Sequence, residues 1–92
     1  MQITKTSHNF AKRRGLALTT ERIDGADLLC IWEENNDSEW LCSYDVHTTR
    51  LTYRGNVYLS LECVNALPKI IIDENQLRAV ITLIANTLKT TA

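Results

Sequence analysis

The chain has 92 residues, of which 45% are hydrophobic and 23% charged, with a net charge of −1. That length specifies one domain, residues 1–92, with a core between a sheet and a helix or two, and it leaves little room for a deep enclosed active site. One proline and three glycines argue against a disordered linker, and the longest apolar run, Leu28 to Trp32, excludes a membrane helix of ~20 residues.

Ser7 to Arg14 reads as a short helix with Ser7 as N-cap and Gly15 at the left-handed position after its end. Lys12, Arg13 and Arg14 fall in the last turn, where cations suit the helix dipole, and Phe10 is the only large apolar anchor. Leu16 to Ile23 reads as a strand with Leu16 and Leu18 on one face and Thr19 and Glu21 on the other; Asp24-Gly25 supplies a turn. Leu28 to Glu33 and Glu39 to Asp45 are strands flanking Asn35-Asn36-Asp37. A three-residue loop sets Trp32 opposite Trp40, Cys30 opposite Cys42 and Leu28 opposite Tyr44, all on one face. A turn at His47 to Arg50 then sets Val46 opposite Leu51 and Tyr44 opposite Tyr53. Gly55-Asn56 reads as a bulge or a second turn, with Val57 to Leu59 returning to the sheet.

Two readings stay open for Ser60 to Leu67: a helix capped by Ser60 and ended by Pro68, or a strand through Cys63. Ile70 to Ile72 is a strand or an extended linker. Asp73 to Lys89 is an amphipathic helix. Asp73 and Gln76 form a capping box, Ile72 and Leu77 a hydrophobic staple, and Leu77, Val80, Ile81, Ile84 and Leu88 an apolar stripe. Asn75, Arg78, Thr82 and Lys89 are expected to face away. The stripe is expected to cover the Trp/Tyr/Leu face. The fold is thus α+β: an antiparallel β meander of about four strands, packed by a C-terminal helix, with a short basic N-terminal helix.

The charges are segregated. Residues 1–20 carry Lys5, Lys12, Arg13 and Arg14 and no acid, +4 in all; residues 21–47 sum to −7. A single-sign patch steers a molecule toward a partner of opposite sign. Lys5, Lys12, Arg13 and Arg14, extended by Arg50 and Arg54, are candidates for nucleic-acid contact, since their groups pair with phosphate. Glu33, Glu34, Asp37 and Glu39, around the hairpin loop, are candidates for docking into a basic groove of a protein partner. The plainer alternatives are a solvated helix end and a solubilising loop. In the proposed register Glu33 opposes Glu39, a like-charge pair that either an outside cation relieves or fraying avoids.

Catalytic and metal-binding patterns are missing: no nucleophile elbow, phosphate-binding loop, zinc-protease helix motif or dinucleotide fingerprint occurs. His8 and His47 lack a Cys or acid at ligand spacing and read as exposed structural residues. Cys30, Cys42 and Cys63 read as buried reduced thiols of a cytosolic protein, although Cys30 opposite Cys42 would permit a cross-strand disulfide under oxidation. No enzyme activity, cofactor or metal is expected. Composition and spacing suggest a small binding protein. A nucleic-acid-binding regulator and a structural subunit with an apolar patch at Tyr58, Leu59 and Leu61 are alternatives.

From MQITKTSHNFAKRRG to ITLIANTLKTTA the chain resembles small phage-encoded anti-CRISPR proteins of the type I-F class. That resemblance implies an inhibitor that binds the crRNA-guided surveillance (Csy) complex in the host bacterial cytoplasm. It would contact Cas subunits and block target-DNA hybridisation or nuclease recruitment; the segregated charges add crRNA contact by the basic arm as a hypothesis. It assigns no residue roles.

Overall fold

The computed structural model describes residues 1–35, 39–56 and 59–91, with side chains as far as Lys89. The elements run α1 (Lys5–Arg13), β1 (Leu16–Ile23), β2 (Ala26–Glu33), β3 (Cys42–Val46), β4 (Leu51–Asn56), α2 (Leu61–Ala66), β5 (Ile70–Ile71) and α3 (Glu74–Thr91). The strands form one antiparallel sheet in the order β1-β2-β3-β4-β5. The α+β meander expected from sequence is therefore present, and the short apolar run at Ile70 adds a fifth strand.

The helices pack on one face of the sheet. Leu16 and Leu18 of β1, Leu29 and Ile31 of β2, Cys42 and Tyr44 of β3, Leu51 of β4 and Ile71 of β5 share a buried cluster with Ala11 of α1 and Leu77, Val80, Ile81, Ile84 and Ala85 of α3. Each fully buried Leu or Ile contributes about 1.5–3 kcal/mol through removal from water. Tyr44 is buried with its hydroxyl donating to the Pro68 carbonyl at 3.0 Å, so its polar end is satisfied; burial still pushes its phenol upward.

The helix ends explain their own limits. Asp73 Oδ1 accepts the Gln76 N–H at 2.8 Å, and Gln76 Oε1 accepts the Ile72 N–H at 2.9 Å. Ile72, however, is 60% exposed and closes no staple over Leu77. Ser60 Oγ caps α2 by accepting the Cys63 N–H at 3.2 Å, and the chain turns extended at Leu67 before Pro68. This settles the open segment as helix.

α1 starts two residues before the expected cap, with Thr4 at the N-cap. Ser7 lies inside the helix, fully buried, and its hydroxyl donates to the Glu74 carboxylate. Thr4 Oγ1 donates to the same carboxylate at 2.8 Å, and Arg78 stands 3.8 Å from it. Arg78 therefore turns toward α1 rather than away from it. Burial by itself raises the pKa of Glu74, but the hydroxyls of Ser7 and Thr4, the Thr4 N–H and the Arg78 charge outweigh it and hold the group below its ordinary 4.5.

The β2–β3 register differs from the sequence expectation, and one residue causes the difference. Trp32 and Trp40 do meet, edge to face at 5.7 Å. Beyond them Ile31 opposes Cys42, Cys30 opposes Ser43 and Leu28 opposes Asp45. The Leu41 N–H donates to the Ile31 carbonyl at 2.7 Å, while Leu41 and Cys42 both enter the core. Two residues thus oppose one, the signature of a β-bulge. The extra residue reverses the facing of everything after it. Cys30 and Cys42 lie on opposite faces, and all three cysteines are free and buried.

The helices consequently cover the Leu/Ile/Tyr44 face and leave Trp32, Cys30 and Leu28 on the other. A second irregularity between Ser43 and Tyr44 leaves Arg54 as the extra residue of β4, close to the expected bulge at Gly55-Asn56. Tyr44 opposes Tyr53 and Val46 opposes Leu51 as anticipated, the tyrosine rings meeting edge to face at 5.5 Å. Val57 and Tyr58 lie outside the described residues; Leu59 is in no strand.

Candidate functional site: a two-signed end of the sheet

The end of α1 and the end of β2 converge at Gly15. Its φ of +78° lets the chain leave the helix and enter β1 directly, a conformation glycine adopts without steric cost. The Gly15 carbonyl then accepts the Glu34 N–H at 2.9 Å, one step past the last β1–β2 pair, Leu16 with Glu33. Residues far apart in charge and in sequence thereby share one end of the sheet. His8, Lys12, Leu16, Ala17, Leu18 and Glu34 line an open cleft of about 280 Å³ there.

The cationic candidates divide. Lys5, Lys12 and Arg13 are exposed. Arg14 is half-buried: its guanidinium lies 3.5 Å from the centre of the Phe10 ring and donates to the Phe10 carbonyl at 3.2 Å. Such stacking is worth about 0.5–1 kcal/mol and holds the cation against the helix. Arg50 is exposed in the β3–β4 turn, and Arg54 pairs with Asp45 at 3.1 Å. Both belong to the β4 side, three strand spacings from β1, roughly 14 Å. No hydrogen bond or ion pair among the described residues joins Arg50 or Arg54 to Lys5, Lys12, Arg13 or Arg14, although the Met1 amine donates to the His47 carbonyl in the β3–β4 turn.

The acidic candidates gather more closely. Glu33, Glu34 and Glu39 are all exposed. Asp37 lies outside the described residues. β3 begins at Cys42 rather than Glu39, so the ladder stops short of a Glu33–Glu39 pair. The ion pairs among the described residues are Arg22–Asp27, Arg54–Asp45 and Arg78–Glu74, none of which joins α1 to the acidic end. Both charge signs at this end are thus available to a partner.

Sequence reasoning did not place His8 in this cleft, nor the open sheet face beside it. On that face Trp32 and Trp40 are half-buried, and the Trp32 indole donates to Thr19 Oγ1 at 2.7 Å. Cys30 and Leu28 are buried beneath their neighbours there. Burial, and then the Glu21 carboxylate, push the Cys30 thiol up to about 11, against smaller lowering by Arg54 and Thr19. Cys42, in the core, is pushed to about 12, chiefly by burial. Neither thiol is primed as a nucleophile.

His47 Nε2 meets Thr52 Oγ1 at 2.8 Å in an exposed turn. The apolar patch imagined at Tyr58, Leu59 and Leu61 does not form as a unit: Leu59 is buried, Leu61 is 75% exposed, and Tyr58 is outside the described residues. Among the described residues no cluster of three or more His, Cys, Asp or Glu is arranged to hold a metal, and no helix is long and apolar enough to cross a membrane. No protein-family model, curated protein or solved structure matches the chain.

Proposed function

We propose that this protein is a phage inhibitor of the type I-F crRNA-guided surveillance complex, acting stoichiometrically in the bacterial cytoplasm by blocking target-DNA binding or hybridisation. The observation that supports the reading is the Gly15–Glu34 junction, where exposed Lys12 and Arg13 stand beside exposed Glu33 and Glu34. A ribonucleoprotein presents both charge signs: basic protein channels that hold the guide–target heteroduplex, and phosphates of the guide. The acidic residues Glu33, Glu34, Asp37 and Glu39 would occupy basic Cas-subunit surface. Lys5, Lys12 and Arg13 would meet crRNA phosphates. Arg14, held on Phe10, contributes to the fold of the arm rather than to binding.

Charge variants test each half. Lys12→Glu with Arg13→Glu is expected to weaken binding to the purified complex about tenfold or more and to lower its salt slope by about one for each phosphate no longer neutralised. Unchanged affinity and salt slope would rule out the RNA half. Replacing Glu33, Glu34 and Glu39 by Gln, and Asp37 by Asn, is expected to reduce affinity by a similar factor, about tenfold. Full retention would rule out the protein half. Binding of free RNA or DNA by the chain alone, steeply weakened by salt, would instead favour a nucleic-acid-binding regulator.

A further inference from the structure

β1 is an edge of the sheet, and its charged residues, Glu21 and Arg22, are confined to its last three positions. It has eight residues, no proline and no lysine, and its pairing with β2 runs without a bulge from Leu16–Glu33 to Ile23–Ala26. Its free side can be read from its bonded side. The Glu34 N–H donates to Gly15, which makes the Gly15–Glu34 pair a hydrogen-bonded one. Antiparallel pairs alternate, so Ala17, Thr19, Glu21 and Ile23 also bond inward to β2. The two-residue Asp24-Gly25 turn, with both φ values positive, closes on the Ile23–Ala26 pair and fixes the same phase. The N–H and C=O groups of Leu16, Leu18, Thr20 and Arg22 therefore point out of the sheet, and they have no partner among the described residues.

This row is self-complementary. We infer that β1 pairs with β1 of a second copy of the chain, antiparallel about a twofold axis at Thr19, joining two five-stranded sheets into one. In that register Leu16 bonds to Arg22 of the second copy and Leu18 to Thr20, each twice by symmetry. Every outward group of the strand is satisfied. A shift of register would leave outward groups of both strands unmatched.

Side chains and charges agree with this register. On the open face Ala17 meets Glu21 of the second copy, and Thr19 meets Thr19. On the helix side Leu18 meets Thr20. No like charges oppose one another directly. The antiparallel arrangement also sets the Asp24 turn of one copy beside Arg13 and Arg14 at the end of α1 in the other. That hairpin carries exposed Arg22 and Asp24 and a half-exposed Glu21, so it presents both charge signs to the second copy. Ile23, an apolar side chain left 36% exposed on β1, gains the neighbourhood of Ala17 from the second copy.

Sedimentation equilibrium and amide hydrogen exchange on the intact protein test the pairing together. The expected result is a dimer at high micromolar concentration in which the amides of Leu18, Thr20 and Arg22 are protected, and in which that protection disappears on dilution. The inward amides of Ala17, Thr19 and Glu21 stay protected throughout. Thr20→Pro removes one outward N–H at an edge position and is expected to give a monomer with unchanged circular dichroism. A protein that stays monomeric would overturn the proposal. So would a dimer in which the outward amides exchange freely, or one that Thr20→Pro leaves intact. Should Thr20→Pro fail to fold, the exchange pattern of the unaltered chain decides alone.

Discussion

The bulge at Leu41 makes a sharp prediction, because two changes at that residue separate its side chain from its backbone. Leu41→Ala keeps the extra residue and empties a buried site that is 3% exposed, which costs about 2–5 kcal/mol. A domain of this length has a total stability of roughly 5–14 kcal/mol, so the variant keeps a folded state to the extent that this total exceeds the loss. With an unfolding entropy of about 0.2 kcal/mol/K for this length, the change lowers Tm by about 10–25 °C. Deleting Leu41 removes the same side chain and also the bulge. Trp40 then still opposes Trp32, and Cys42 still opposes Ile31 in an uninterrupted ladder. The deletion is therefore expected to cost about as much as Leu41→Ala, within ~1 kcal/mol. The exciton signal of the paired indoles in circular dichroism should survive. Thermal and denaturant melts followed by that signal make the comparison. If the strand were regular, the deletion would turn Cys42 and Tyr44 out of the core, and the chain would not fold. An unfolded deletion variant beside a folded Leu41→Ala would refute the bulge.

Other outcomes follow from the same geometry. The Glu74 carboxylate has a lowered folded-state value, so the stability it provides is fully present above the unfolded carboxylate range and disappears as pH falls through the folded value; Glu74→Gln should cost about 1–2 kcal/mol at neutral pH and flatten the acid limb of a melt-versus-pH curve. An unchanged acid limb would show that the bonds to Thr4, Ser7 and Arg78 contribute nothing. The buried thiols, with Cys30 near 11 and Cys42 near 12, should react with a maleimide at neutral pH only after denaturant is added. Rapid native labelling of Cys30 or Cys42 would contradict their burial. Arg14→Ala should reduce stability by about 0.5–1 kcal/mol through its stacking on Phe10, whereas Arg13→Ala should leave the melt unchanged.

What the sequence made legible was local. The stripe from Leu77 to Ile84, the Asp73 cap and the Asp24-Gly25 turn each follow from neighbours a few residues apart, and each stands where expected; the Ser60 cap decides between two readings that were left open. The Trp32–Trp40 and Tyr44–Tyr53 pairs were legible because aromatic side chains dominate their rows. What failed was parity. Nothing in Trp40-Leu41-Cys42 announces a bulge, since Leu41 and Cys42 are both small enough and apolar enough to alternate faces or to share one. One inserted residue was enough to move Cys30 away from Cys42 and the tryptophans away from the helices.

Ser7 was misread for a related reason. A serine before a basic amphipathic turn resembles an N-cap, and only the arrival of Glu74 from the far end of the chain explains a serine buried inside the helix. The candidate site was half legible. The charge blocks are evident in the order of residues, but their meeting at Gly15 depends on one backbone hydrogen bond to Glu34. The withdrawal of Arg14 onto Phe10 depends on a rotamer.

The proposed function is tested most directly by equilibrium binding of target duplex DNA to the purified type I-F crRNA complex, with and without this protein, alongside free crRNA and free duplex DNA. A stoichiometric amount of the protein is expected to abolish target binding by the complex while neither free nucleic acid is shifted. Undiminished target binding, with no association between the protein and the complex, would contradict it.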